Sequence, residues 1–254
     1  MQGEKIRILH LTDPHLFARA DGELRGTVTA TSLQQVLQHY RDGDWQAERV
    51  IITGDIVHDD SEGAYQRFHD VLSPLKMRMH CLPGNHDVRA LMLRVCRQPP
   101  FSYCATEEIG SWLIIALDSC VTDAAGGRVA DTEMQRLADA VAGSEAQHVM
   151  VCLHHPPVPM GSAWLDSVGL ENGEEFLRHV KSLERVRLVV FGHVHQAYDE
   201  TLDGLRLIAT PSTCSQFLPG SDEFAVDSRP PAYRRFTLDA DGNCETEVIW
   251  VDDA

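Results

Sequence analysis

The chain has 254 residues, of which 43% are hydrophobic and 24% charged, values typical of folded globular proteins. With 22 basic and 38 acidic residues its formal net charge is −16, which excludes an extended basic face of the kind that binds nucleic acid phosphates. The longest uninterrupted apolar run, 112–117, is far shorter than the roughly 20 residues that a membrane-spanning helix needs. We therefore expect neither a nucleic acid nor a membrane partner.

Predicted strands and helices alternate through most of the chain. Apolar, β-branched runs predict strands at 6–12, 50–53, 77–82, 112–118, 149–154 and 187–192. Between the first two, apolar side chains at helical spacing predict an amphipathic helix that Thr31 or Ser32 could cap; its apolar positions are Leu33, Val36, Leu37 and Tyr40. Alternation of this kind predicts an α/β fold with a two-layered sheet core and helices outside.

The last quarter of the chain has a different pattern. Strands are predicted at 205–209, 233–238 and 245–251, and Asp203-Gly204 and Asp241-Gly242 are typical hairpin turns. The chain contains no internal repeat and no clear linker between domains. One domain is therefore expected.

Seven cysteines are scattered along the chain, and no two of them form a C-x-x-C pair. An odd number without such pairs argues against a disulfide framework or a cysteine zinc site. The first residues also lack the charged and then apolar pattern of a secretion signal. We expect reduced cysteines and a cytoplasmic protein.

Histidine, aspartate and asparagine residues cluster where predicted strands end. The segments are Asp13-Pro14-His15, Gly54-Asp55, Gly84-Asn85-His86-Asp87, His154-His155-Pro156-Pro157 and Gly192-His193-Val194-His195. The carboxyl ends of parallel strands face one crevice, so the five segments should converge. The chain contains no P-loop, G-x-G-x-x-G, G-x-S-x-G or H-E-x-x-H motif, which excludes the chemistries that depend on them.

Taken singly, most of these segments have an ordinary structural explanation. Asp13-Pro14-His15 could be a capped turn, Gly54-Asp55 is a common turn signal, and His154-His155 could lie in a solvated loop. Their combination, in this order and each at a strand end, favours a single shared site.

The residue types in these segments indicate a two-metal site. Carboxylate, amide and imidazole groups suit divalent ions such as manganese, iron or zinc, and no thiolate is among them. Seven residues could be direct ligands, namely Asp13, His15, Asp55, Asn85, His154, His193 and His195. They could bind two ions if Asp55 bridges them, and the ions would then lie roughly 3.5–4 Å apart and share a hydroxide.

The five segments together resemble the signature of the calcineurin-like metallophosphoesterase superfamily, which is D-x-H, G-D, G-N-H-[DE], H and G-H-x-H in that order. Longer stretches at 154–157 with 161–166, at 192–196 and at 209–217 resemble bacterial cyclic AMP phosphodiesterases of the CpdA (Icc) type, and the likeness covers nearly the whole chain. One departure is His58, where an acidic or small polar residue is usual, and we interpret it as a variation at the pocket rim.

The resemblance implies a two-sheet sandwich with flanking helices, in four layers α/β/β/α. It also implies a single domain of residues 1–254, with 211–254 as a C-terminal segment near the substrate pocket.

Individual roles also follow from the resemblance. One metal would be bound by Asp13, His15, Asp55 and His195, and the other by Asp55, Asn85, His154 and His193. His86 would contact the scissile phosphate and protonate the leaving oxygen, and Asp87 would orient His86. Asn85 and His195 would contact the substrate beside His86. His155 is expected to have a structural or rim role.

The function implied by the resemblance is hydrolysis of 3′,5′-cyclic AMP to 5′-AMP, with two divalent ions, Fe²⁺ and/or Mn²⁺, as the only cofactors. A small cyclic nucleotide would be the partner, and a homodimer is possible. Two alternatives stay open. One is a broader phosphodiesterase or phosphomonoesterase acting on glycerophosphodiesters or nucleotides, because the motifs do not specify the leaving group. The other is a scaffold of the same fold without catalysis, which would predict missing ligands.

Overall fold

Sixteen strands and six α-helices make up residues 5–252, the part of the chain that the computed structural model describes. In chain order the strands are β1 (Ile6–Leu11), β2 (Glu23–Leu24), β3 (Thr27–Val28), β4 (Arg49–Thr53), β5 (Arg78–Leu82), β6 (Phe101–Tyr103), β7 (Thr106–Ile109), β8 (Trp112–Ala116), β9 (His148–Cys152), β10 (Val186–Phe191), β11 (Tyr198–Leu202), β12 (Leu205–Ala209), β13 (Gln216–Phe217), β14 (Val226–Asp227), β15 (Ala232–Leu238) and β16 (Cys244–Trp250). The helices are α1 (Thr29–Asp42), α2 (Glu62–Leu72), α3 (Arg89–Val95), α4 (Asp131–Gly143), α5 (Ala163–Asp166) and α6 (Gly173–Ser182), and a 3₁₀ turn at Ser73–Leu75 follows α2.

Two six-stranded mixed sheets form the centre of the protein. The first has the strand order β16-β15-β1-β4-β5-β6, and the second has the order β11-β12-β10-β9-β8-β7. Each contains four parallel strands, which are β1, β4, β5 and β6 in the first sheet and β8, β9, β10 and β12 in the second. The outer strands β15, β16, β11 and β7 pair in the antiparallel sense. The parallel strands carry their carboxyl ends to one end of each sheet.

Apolar side chains fill the space between the two sheets and cover their outer faces. Fully buried residues of the inner layer include Ile8, Ile114 and Val190. Helices α1, α2 and α3 pack on the outside of the first sheet, and α4 and α6 pack on the outside of the second. This α/β/β/α arrangement confirms the predicted four-layer fold. Among residues 5–252, no helix is both long and apolar enough to cross a bilayer.

The first helix confirms the predicted apolar face but not its predicted start. Its four expected apolar positions, Leu33, Val36, Leu37 and Tyr40, are all buried. The helix begins at Thr29, directly after β3, so Thr31 and Ser32 lie inside it and the prediction that they cap it is wrong. Ser32 has a different partner, because its hydroxyl donates a 2.6 Å hydrogen bond to the carbonyl of Thr213.

Both predicted hairpin turns are present. Leu202 pairs with Leu205 across Asp203-Gly204, whose φ angles of 52° and 85° fit a tight two-residue hairpin loop. Asp241-Gly242 lies in the connection between β15 and β16. The sequence did not predict seven short or largely polar strands, whose apolar signal is weak, namely β2, β3, β6, β7, β11, β13 and β14.

Glu107 links the edges of the two sheets. It lies on β7 of the second sheet and contacts three basic side chains of the first. Its carboxylate accepts hydrogen bonds of 2.9 Å from Arg49, 2.7 Å from Arg78 and 2.6 Å from Nε2 of His80. The imidazole of His80 is buried, so this contact ties the sheets together inside the protein.

Candidate metal centre

The strand ends of both sheets meet at one site, as predicted. The backbone N–H of Asp13 donates to the carbonyl of Gly54 at 3.1 Å, which joins the ends of β1 and β4. The backbone N–H of Gly192 donates to the carbonyl of His154 at 3.1 Å, which joins the ends of β10 and β9. The two sheets are then connected, because the backbone N–H of His193 donates to the Asp13 carboxylate at 3.1 Å.

The backbone at this site adopts a conformation that side chains other than glycine rarely take. Among the predicted ligands, five have φ angles between 45° and 68°, namely Asp13, His15, Asp55, His193 and His195. Each left-handed residue of this kind costs on the order of 1–3 kcal/mol. The cost is concentrated at the strand ends that aim these side chains at one another, which is typical of a functional site.

Glycines at two positions permit the strand ends to approach this closely. A Cβ atom at Gly54 would lie 2.6 Å from Nδ1 of His154, and a Cβ at Gly84 would overlap the carboxylate of Asp55. Gly54 also has a φ of +91°, which L side chains rarely adopt. A larger residue at either position would push the predicted ligands apart.

Three predicted ligands form one half of the site. Nε2 of His195 lies 3.2 Å from Nε2 of His15 and 3.5 Å from Oδ1 of Asp13. Ligand atoms bound at 2.0–2.2 Å and at right angles around one ion are about 3 Å apart. The three side chains are buried and have the spacing of a coordination sphere.

Three other predicted ligands form the second half. Oδ1 of Asn85 lies 3.0 Å from Nδ1 of His193 and 3.2 Å from Nε2 of His154, and the two imidazole nitrogens are 3.2 Å from each other. The triangle of one amide oxygen and two nitrogens has almost equal sides. It is a second compact donor set beside the first.

Asp55 lies between the two halves. Its Oδ2 atom is 3.6 Å from Nε2 of His15 and 3.4 Å from Nε2 of His154. The other carboxylate oxygen, Oδ1, accepts a 2.9 Å hydrogen bond from the backbone N–H of His86, which fixes the plane of the carboxylate. A single oxygen atom therefore adjoins both donor sets, as a bridging ligand must.

Outer hydrogen bonds determine which histidine nitrogens can bind a cation. Nδ1 of His154 lies 2.6 Å from the carbonyl of Thr53, and Nδ1 of His195 lies 2.6 Å from the carbonyl of Ser215. A carbonyl only accepts, so both Nδ1 atoms carry a hydrogen, and in the neutral ring each Nε2 atom has the lone pair that can bind a cation. These lone pairs point at other acceptor atoms inside the site. Convergent acceptors of this kind fit bound cations.

The carboxylates at the site are ionised. Burial raises the pKa of the Asp55 carboxyl, but the positive charge and hydrogen bond of His154 outweigh burial and hold the pKa well below its usual range. The pKa of Asp13 is likewise lowered, because the neighbouring His195 outweighs the effect of burial. Ionised carboxylates are the form that binds divalent ions.

Two of the imidazoles at the site are neutral, and a third is positively charged because both of its ring nitrogens carry a proton. Burial lowers the pKa of His193 to about 3 and holds that of His15 well below its usual value. At His154 the lowering by burial is outweighed by the carboxylates of Asp55 and Asp13, and the pKa rises to about 9. The residues therefore match the ligand chemistry of divalent ions, with one proton to displace at His154.

His86 lies beside this donor network, in contact with a residue that sequence reasoning did not assign to the site. Its ring packs edge-on against His15 with centroids 5.1 Å apart, and it stacks on His58 at 4.9 Å. His58 was interpreted as a rim variation, yet its Nδ1 lies 3.3 Å from Nδ1 of His15. Burial, followed by the charges of His86 and Arg25, lowers the pKa of His58. The only sequence signal for these contacts is that a histidine at position 58 departs from the usual residue type.

Asp87 does not contact His86 in the way that was predicted. Among residues 5–252 its carboxylate accepts hydrogen bonds from the hydroxyl of Tyr65 at 2.8 Å and from the backbone N–H groups of Gly84 at 2.9 Å and Ile56 at 3.1 Å. These bonds tie together the loops after β4 and β5. Asp87 thus supports the backbone around Asp55 and does not orient the imidazole of His86, because its carboxylate is bonded to Tyr65 of α2.

Both ring nitrogens of His155 face protein groups, and its structural or rim role stays a prediction. Its Nδ1 lies 2.9 Å from the hydroxyl of Ser119, and its Nε2 lies 3.2 Å from the carbonyl of Ala125. Both nitrogens are occupied by protein groups, and the ring packs against His154 and His193 with centroids 4.9 Å apart in each case. The ring of His155 therefore supports two predicted ligands by packing against them.

The comparisons with known proteins agree with this geometry. The chain is 38% identical over 244 residues to a 3′,5′-cyclic adenosine monophosphate phosphodiesterase CpdA of Vibrio vulnificus, covering 96% of this chain and 89% of the relative. It is 36% identical over 245 residues to the CpdA of Escherichia coli K12, with the same coverage of 96% and 89%.

Solved structures share the fold. A dimetal phosphatase from Danio rerio superposes with a TM-score of 0.66 at 17% identity, covering 97% of this chain and 99% of the other. An anchor protein of the inner membrane complex of Plasmodium superposes with a TM-score of 0.64 at 13% identity, covering 98% and 85%. The family model for calcineurin-like phosphoesterases matches residues 6–197. The chain belongs to the calcineurin-like phosphoesterase family.

Proposed function

We propose that this protein hydrolyses 3′,5′-cyclic AMP to 5′-AMP in a metal-dependent reaction. The single observation that carries the metal dependence is the position of Asp55, whose Oδ2 atom adjoins both donor sets. The choice of cyclic AMP is supported by the curated relatives, which carry the name CpdA and align along nearly the whole chain. The reaction is cleavage of a phosphodiester bond by water.

The seven ligand side chains would hold two divalent ions, one among Asp13, His15 and His195 and one among Asn85, His154 and His193, with Asp55 shared. Bound there, the ions supply positive charge at the phosphoryl group and lower the pKa of water near phosphorus. Nitrogen and oxygen donors without a thiolate suit iron and manganese, and we propose these two metals.

His86 would act on the leaving group. It follows Asn85 directly in the chain, and among the described residues its imidazole has no hydrogen-bond partner, so both nitrogens are free for a substrate. Protonation of the departing 3′-oxygen by a positioned imidazole contributes typically 10²–10⁴-fold to a rate. Asn85 and His195 would contact the phosphoryl oxygens from the two sides.

A scaffold without catalysis is the less favoured alternative. The superposable Plasmodium anchor shows that the fold alone does not establish an activity. In this chain, however, all seven donors are present and converge, and His86 is free beside them. A scaffold would have no need of five strained backbone positions at these residues.

One panel of substrates distinguishes the proposed function from that of a broader phosphodiesterase or phosphomonoesterase acting at the same site. Protein loaded with Mn²⁺ is assayed on cyclic AMP, cyclic GMP, glycerophosphodiesters, p-nitrophenyl phosphate and bis(p-nitrophenyl) phosphate, with Asp55→Asn as the inactive control. The proposal expects the highest kcat/KM on a cyclic nucleotide. A higher value on a monoester or on a glycerophosphodiester contradicts it. The cytoplasmic location and the possible homodimer stay predictions.

A further inference from the structure

An aromatic cluster of Trp164, Phe217 and Phe224 lies next to the candidate metal centre. Phe217 and Phe224 each pack edge-on against Trp164, with centroids 5.1 Å and 5.2 Å from the indole, and are 5.5 Å from each other. The guanidinium of Arg25 lies over both phenyl rings, 5.1 Å from the centroid of Phe217 and 4.8 Å from that of Phe224. Four residues from distant parts of the chain thus build one aromatic, cationic cluster.

This cluster is continuous with the metal centre through Phe217. Its ring stacks on the imidazole of His195, with centroids 4.0 Å apart and planes within 10° of parallel. The cluster therefore forms one wall of the site, beside His195.

Arg25 is free to contact a ligand. Together with Gly26 it forms the tip of the β2–β3 hairpin, where φ angles of 52° and 83° turn the chain sharply. Within residues 5–252 its guanidinium has no acidic partner and donates no hydrogen bond, and the residue is exposed. Nearly half of Phe224 is also exposed, at 48%. An exposed aromatic ring beside an unpaired guanidinium offers a surface on which a planar or anionic group can bind.

The opposite side of the site has a different chemistry. A cavity of about 540 Å³ adjoins Asn85 and His86, and Asp60 and Asp123 are among the residues that line it. Its arginine, Arg89, is already held by Asp118 through a 2.6 Å hydrogen bond. That cavity therefore offers no free cation, whereas the surface at Arg25 does.

We propose that Arg25 and Phe224 receive the purine base of the substrate and that Arg25 reads the edge of the base. This inference rests on the proposed function and adds the base specificity. Aromatic rings and guanidinium planes both stack on nucleobases. A guanidinium presents only donors, so it can bind O6 and N7 of guanine together, but only N7 of adenine, whose N6 is itself a donor. Cyclic GMP is then a substrate as well, within about tenfold of cyclic AMP in kcat/KM.

The test compares kcat/KM of Arg25→Leu with that of the wild-type protein on cyclic GMP, cyclic AMP and bis(p-nitrophenyl) phosphate. We expect a loss of about tenfold or more on cyclic GMP, because a two-point contact is removed, and a clearly smaller loss on cyclic AMP. The smallest loss is expected on bis(p-nitrophenyl) phosphate, which has no base. Arg19→Leu is the matched control, since Arg19 lies nearby in the same segment but pairs with Asp21 in solvent.

A second variant tests the stacking contact independently. Phe224→Ala should raise KM for both cyclic nucleotides by a similar factor of about tenfold, because every base has a face that stacks. Leu218→Ala, another exposed apolar residue of the same region, is its control. An unchanged KM for both nucleotides in Phe224→Ala would overturn the assignment of the base to this surface.

Two further kinetic results would also overturn the inference, and one separates it from the proposed function. An unchanged cyclic GMP to cyclic AMP ratio in Arg25→Leu contradicts it, and so does an equal loss on all three substrates, which would indicate a phosphate contact. If the wild-type protein cleaves bis(p-nitrophenyl) phosphate but no cyclic nucleotide, the proposed function fails. Binding of 5′-GMP and 5′-AMP, measured by calorimetry, then tests the base subsite on its own. Arg25→Leu must weaken the binding of GMP more than the binding of AMP.

Discussion

The imidazole of His58 lies nearly face to face with that of His86, with ring centroids 4.9 Å apart and planes 27° from parallel. Phe17 supports His58 from another side, with centroids 5.1 Å apart. Asp87 is occupied by Tyr65 and backbone N–H groups, whereas His58 and His15 both pack against the ring of His86 and limit how it can turn. A histidine at this position thus acts through its neighbour, as a positioning residue.

Replacing His58 should lower activity through His86. We expect His58→Ala to reduce kcat on cyclic AMP by about 10–100-fold, because groups that orient a functional side chain are typically worth that much. The reduction should shrink with a p-nitrophenolate leaving group, which needs little protonation. His69→Ala, on the surface of α2, is the control. Equal losses on both substrates would show that His58 does not act through His86.

His86 itself should be needed for turnover and not for metal binding. In His86→Ala we expect kcat on cyclic AMP to fall by about 10²–10⁴-fold while metal content stays unchanged. The loss should be smaller on bis(p-nitrophenyl) phosphate. Elemental analysis and steady-state kinetics on the same preparation measure both effects. Loss of metal in this variant would mean that His86 belongs among the ligands.

Removal of metal should abolish activity, and Asp55 should be the most damaging single ligand to lose. Chelator-treated protein is expected to be inactive and to regain activity with Mn²⁺ or Fe²⁺, since the chain has no other nucleophile constellation. Asp55→Ala should contain well under two metals per chain, because its Oδ2 adjoins both donor sets.

A stability readout complements the activity measurement for Asp55. A metal present at about 100 times its Kd should stabilise the folded wild-type protein by about 2.7 kcal/mol, and Asp55→Ala should lose much of this gain in thermal unfolding. Full activity of metal-free protein, or two metals retained in Asp55→Ala, would contradict the bridging assignment.

The sequence predicted those parts of the molecule that depend on local pattern. Ligands such as Asp13 and His193 directly follow apolar strands, and parallel strand ends must meet, so their convergence could be inferred. The partner of Asp87 could not, because it depends on how Tyr65 of α2 packs against two loops. The contact between Arg25 and Phe217 could not be predicted either, because the two residues lie far apart in the chain and meet only in the folded protein.

The contact of Glu107 with Arg49, Arg78 and His80 should make stability depend on pH. Burial raises the pKa of Glu107, but hydrogen bonds from His80 and Arg49 outweigh it and hold the pKa well below its usual value. A carboxyl with a lowered pKa stabilises the folded state at pH values above its unfolded pKa, near 4.3, and this stability is lost as the pH falls toward the folded pKa.

We therefore expect Glu107→Gln to lower the free energy of unfolding by about 2 kcal/mol at pH 7, because three basic groups lose their partner. The difference from the wild-type protein should narrow below about pH 4, because the unfolded wild-type chain then takes up a proton at Glu107 that the folded protein does not. Urea unfolding between pH 3 and pH 7 measures both quantities, and Glu184→Gln, at an exposed position, is the control. A difference that is the same at every pH would show that the contact stabilises by packing and not by charge.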